Sequence, residues 1–165
     1  MDYNPDTLML LAELIIAVVA FAVIVASLRI TSGEKLNAFE LMLIQFFAES
    51  GLMVFIVAVF PLVLLEFGLD EQLVAIISTW GALILLVPYF SYYFWRRSRI
   101  EAPANIPMIV SSVGWLLWVF VLGITLTGAF WVPSLAIITA LVFWGLCSFA
   151  IVFIGYLAKF VGRKI

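Results

Sequence analysis

The chain has 165 residues, 67% of them hydrophobic and only 11% charged, with a mean hydropathy of +1.28, whereas a soluble domain carries roughly 25% charged residues. A water-soluble fold is excluded, and eight basic residues against ten acidic leave no electrostatic footprint for nucleic acid. Histidine is absent and cysteine occurs once, as Cys147 in an apolar run, so the commonest metal and haem ligand, the usual general base and any intrachain disulfide are all missing.

Met1-Asp2-Tyr3-Asn4-Pro5-Asp6 carries two acids and no base, the reverse of a signal-peptide start, so the first apolar run is expected to be retained. That run extends from Thr7 to Ser27, with Pro5 suited to a first helical turn, and stops at Arg29. After a short polar link, Asn37 and Glu40 have the spacing of a helix-capping pair for a second run from Leu41 to Leu65. At about 37 Å as a helix, the second run exceeds the roughly 30 Å of hydrocarbon, which predicts tilt or a bend near Pro61 before Gly68 ends it. Asp70-Glu71 opens a third run that finishes in Tyr89, Tyr92, Tyr93 and Trp95, an interfacial aromatic belt, ahead of Arg96, Arg97 and Arg99. Pro103 and Pro107 separate it from a fourth run, and Trp131-Val132-Pro133 precedes a fifth.

The predicted fold class is therefore all-α: a polytopic integral membrane protein, a bundle of five transmembrane helices. It forms a single membrane domain over 1–165, with spans at about 7–28, 40–66, 72–95, 107–130 and 133–158. The basic residues fall into three groups, Arg29 with Lys35, Arg96 with Arg97 and Arg99, and Lys159 with Arg163 and Lys164, one after each odd-numbered span. Read as cytoplasmic anchors, they put the N-terminus outside and the C-terminus in the cytoplasm. The expected location is the cell membrane, multi-pass, in a bacterium the inner membrane.

Only two carboxyls fall at depth, Glu13 and Glu49, and an ionised carboxylate in hydrocarbon costs several kcal/mol unless paired or wet. No Lys, Arg or His falls within the apolar runs to neutralise them, so each is expected to be protonated, hydrated, hydrogen-bonded or matched to a cation. Glu49 sits about 6 Å from the middle of the second span with Gln45 one turn away on its face, the arrangement of an ion- or proton-handling carboxyl with an orienting amide. A protonated glutamate that bonds a neighbouring helix fits the same residues.

Glu13 shares a face with Ala17, Ala20 and Ser27, small residues that mark a helix-packing face, and its side chain leans toward outer interfacial water. The two carboxyls are about 13 Å apart in depth and lean away from each other, which argues against a catalytic pair and leaves only a stepwise proton path. Ser78 with Tyr89, and Ser111 with Ser112 and Trp115, offer bridging hydroxyls or plain interhelical hydrogen bonds, while Gly145, Ser148 and Gly155 read as close-packing positions. The deeper Trp80, Trp115, Trp118 and Trp144 read as packing; no retinal, quinone or other cofactor is selected, and no metal set.

There is no phosphate loop, zinc spacing or nucleophile–base arrangement, so no enzyme is expected. The leading expectation is a small channel- or transporter-like protein, homo-oligomeric or joined to a membrane partner, in which Glu49, Gln45 and Glu13 handle a proton or cation. The rival is an accessory or scaffolding subunit that packs against partner membrane proteins.

Overall fold

The computed structural model describes residues 5–31, 38–99, 106–128 and 131–162, without the side chains of 26, 29, 30, 38–40, 43 and 156–162. Lys35, Arg163, Lys164 and the Asn37–Glu40 cap pair are thus outside the described residues or side chains, as are the side chains of Arg29 and Lys159. The fold is all-helical: α1 (Pro5–Thr31), α2 (Ala38–Glu66), α3 (Glu71–Ser98), α4 (Ile106–Thr127) and α5 (Leu135–Gly162). All five are long and apolar enough to cross a membrane; the shortest, with 22 residues, is about 33 Å long.

Local chemistry sets the helix ends. Pro5 and Asp6 occupy the first turn of α1, where a missing N–H costs nothing and a negative charge meets the positive end of the helix dipole. The α2 helix continues through Pro61 and stops where Gly68 adopts φ +76° and donates its N–H to Leu65 O at 2.8 Å. Asp70 caps α3 by accepting from Gln72 N at 3.0 Å. The same helix runs through Pro88 to Ser98, so Arg96 and Arg97 belong to its last turn. Gly128, at φ +66°, ends α4 at Thr127, short of the 130 expected from hydropathy, which does not register a left-handed residue. The carbonyl of Ser134 accepts from Ile137 N and Ile138 N as α5 begins.

The α5 helix touches each of the other four, which follow one another around it in chain order, α1 on α2, α2 on α3, α3 on α4. Among the described residues α1 and α4 do not meet, so they form the two edges of an arc. One apolar core joins all five helices, with Leu8, Ile15, Ala58, Leu86, Trp115, Leu122, Ile138, Leu141 and Phe149 at its centre. A smaller cluster of Val74, Ala75 and Leu135, packed by Leu64, Leu65 and Leu69, ties the α2–α3 turn to the start of α5, helped by Gln72 Nε2 donating to Pro133 O at 3.1 Å. Large apolar side chains also cover the outside of each helix, among them Ile24, Leu52, Ile84, Phe120 and Ile154. Such a surface suits lipid and not water.

Candidate functional site

Glu49 lies on the side of α2 that faces α3. It is half-buried and lines a crevice of about 10 Å³, room for one water molecule, with Met42, Phe46, Tyr89, Tyr92, Tyr93 and Arg96. Tyr89, Tyr93 and Arg96 recur at helical spacing on α3, and Gln45 and Glu49 do so on α2, so two polar stripes meet across the helix pair. Arg96 Nη2 donates to Gln45 Oε1. The amide expected to orient Glu49 thus holds a guanidinium one helical turn away from it. Tyr89 Oη donates to Phe46 O at 3.5 Å, and the Phe46 and Tyr93 rings pack at 4.6 Å between centroids.

No basic residue falls within the apolar runs, yet Arg96 reaches the crevice that Glu49 lines. It falls outside the apolar run, but α3 continues to Ser98 and the long side chain turns back to the crevice. An ionised Glu49 would therefore share its crevice with a positive charge, which offsets part of the cost of removing it from water. The signal was present in the sequence as the Tyr89–Tyr93–Arg96 spacing.

A second water-sized crevice, also about 10 Å³, shares Phe46 and Tyr93 with the first and is lined by Phe90, Met108, Ser111, Ser112, Trp115 and Val152. Ser111 and Ser148 share a hydroxyl–hydroxyl hydrogen bond, and Trp115 Nε1 donates to Ser148 Oγ at 3.1 Å, so one α5 hydroxyl serves two α4 side chains. All three are buried, which makes Ser148 a polar hub and not merely a small packing residue. Ser78 is also buried, and its hydroxyl has no hydrogen-bond partner among the described residues.

Glu13 is placed differently. The side of α1 that packs on the bundle carries Leu8, Leu11, Ala12, Ile15 and Ala22. At about 100° per residue Glu13 points about 160° away from the centre of that side, and Glu13, Ala17, Ala20 and Ser27 are all exposed. Among the described residues the small-residue face is therefore not packed. No hydrogen bond or ion pair among the described residues reaches Glu13. The structure does not bring the two carboxyls together: one looks into the α2–α3 crevice, the other away from the bundle. Among the described residues no three His, Cys, Asp or Glu side chains converge as metal ligands would.

Compared with protein-family models, curated proteins and solved structures, the chain matches none.

Proposed function

We propose that this chain is an assembly subunit of the cell membrane, in a bacterium the inner membrane, that associates with a second copy of itself through the Glu13 face of α1. The observation that carries the reading is the outward setting of Glu13 on a helix long and apolar enough to cross a membrane, with Ala17 and Ala20 beside it. Glu13 leans toward the outer interface, but as far as its carboxyl stays in hydrocarbon it finds neither water nor a hydrogen-bond partner, and a lone Glu13 facing lipid is expensive. Small residues let a neighbouring helix backbone come close enough to satisfy it. In a pair related by a two-fold axis along the membrane normal, Glu13 meets Glu13 of the second copy at one depth. A carboxyl that keeps its proton is self-complementary there, because it both donates and accepts.

Glutamine also donates and accepts, whereas alanine does neither, and that difference supplies the test. In a Cys147→Ser background, Ala20→Cys should form an oxidative crosslink in native membranes. Phe120→Cys, on the lipid-facing side of α4, should not. Adding Glu13→Gln should preserve the crosslink and adding Glu13→Ala should abolish it. No crosslink from Ala20→Cys, or one indifferent to Glu13→Ala, ends the reading.

A second reading, proton or cation transport, is favoured by the crevice in which Glu49 meets three tyrosines, Arg96 and space for a water. Its measurement is ion or proton flux into proteoliposomes. Flux that Glu49→Gln abolishes would establish it, and equal or absent flux in both proteins would remove it.

A further inference from the structure

At the Arg-rich end of α3 an exposed ladder climbs one side of the helix. The Tyr92 and Trp95 rings stack at 6.0 Å between centroids with 30° between their planes, and both residues are about half exposed. The Arg99 guanidinium lies over the Trp95 ring at 4.1 Å from its centroid. The three positions are three and four residues apart, so the ladder is a property of the helix face.

Stacking engages the face of a guanidinium and leaves its N–H edge free, the edge that matches two oxygens of a phosphate. Among the described residues, the neighbouring guanidiniums donate hydrogen bonds to neutral groups, and Arg96 also shares its crevice with the Glu49 carboxyl. Arg97 Nη1 donates to Tyr93 Oη at 3.4 Å and to Met108 Sδ at 3.7 Å, and Arg96 donates to Gln45. The first turn of α4 carries no acidic residue, and Glu101, two residues beyond Arg99, lies outside the described residues. Arg97 and Arg99 thus gather beside two rings that favour the headgroup layer, and Arg99 is exposed.

We propose that Arg99, stacked on Trp95 and Tyr92, is a binding site for the headgroup of an anionic phospholipid. The phosphate takes the guanidinium edge, Arg97 adds attraction from beside it, and the rings flank the glycerol region. The site is independent of the α1 interface and stands whether or not the chain self-associates.

The test is competitive lipid retention, read by native mass spectrometry on the full-length protein released from mixed micelles of phosphatidylglycerol and phosphatidylcholine. The wild type should retain the anionic lipid preferentially. One basic residue at a membrane surface contributes about 1 kcal/mol, so Arg99→Gln should lower that preference about fivefold. Arg99→Lys keeps the charge but not the fork or the stack and should fall between the two. Arg99 is exposed, so these substitutions leave the core untouched, and an unchanged size-exclusion profile checks that. Unchanged preference in Arg99→Gln would overturn the proposal. So would full retention in Arg99→Lys, which would reduce the site to a point charge. Displacement of the lipid by millimolar inorganic phosphate would overturn the lipid as ligand.

Discussion

Ser148 shows how much of the bundle's specificity hangs on single hydroxyls. The alternative partners of the three groups it joins are unequal. A serine in a helix can turn to the carbonyl four residues back, as Ser50 does to Phe46 and Ser91 does to Val87. Ser111 has that escape, but the indole N–H of Trp115 is a donor on a rigid ring with Ser148 as its acceptor. Ser148→Ala should therefore strand the indole donor and destabilise the bundle by about 1–2 kcal/mol, toward the upper end of interhelical hydrogen bonds in membranes. Ser111→Ala leaves that bond in place and should cost less than about 0.5 kcal/mol. Unfolding in mixed micelles of graded denaturing detergent measures both, and a Ser111→Ala loss equal to that of Ser148→Ala would show the indole to be satisfied elsewhere. The same accounting separates the two carboxyls: Glu49 has a guanidinium and phenols in its crevice, whereas Glu13 has no partner among the described residues.

At the scale of elements, helix number and the turn between α2 and α3 were legible because they are written in residues with strong local rules. Gly68 takes its left-handed turn, Asp70 caps, and polar links interrupt runs long enough to cross hydrocarbon. Which way each helix faces was not legible. In lipid the bundle side and the lipid side are both apolar, so hydrophobic periodicity, the main clue to azimuth in a soluble protein, nearly vanishes. For α1 the face that packs within the chain is not the one expected: Ala17 and Ala20 suggested it, while Leu8, Leu11, Ala12, Ile15 and Ala22 are the residues that pack. Close approach within the chain occurs instead at α2, where a Cβ added to Gly51 would overlap Val19 Cγ2 of α1. The candidate site was half legible. Glu49 and its depth stood out as a charge among apolar residues, but Arg96 was hidden by treating the end of hydropathy as the end of the helix.

For the whole molecule, the two ends of the bundle differ in charge. The end that carries the α2–α3 and α4–α5 turns has Glu66, Asp70 and Glu71, and no described residue there is basic. The opposite end of α3, about 42 Å away along a 28-residue helix, carries Arg96, Arg97 and Arg99. Positive charge next to a span resists translocation, whereas acidic residues contribute little, so the arginine end should remain in the cytoplasm. With five crossings the N-terminal end of α1 should then lie outside. Single cysteines in a Cys147→Ser background test this at exposed sites: Phe67→Cys and Trp131→Cys at the acidic end, Ser98→Cys at the arginine end. In intact cells a membrane-impermeant maleimide should label the first two, and Ser98→Cys should react only after permeabilisation. The paired positions matter because Phe67 and Trp131 belong to different turns, so a chain in which α3 or α4 alone failed to cross would separate them. Labelling of Ser98→Cys from outside would invert the molecule. It would also turn Arg99 to the outer leaflet and Glu13 toward the cytoplasmic half of the bilayer.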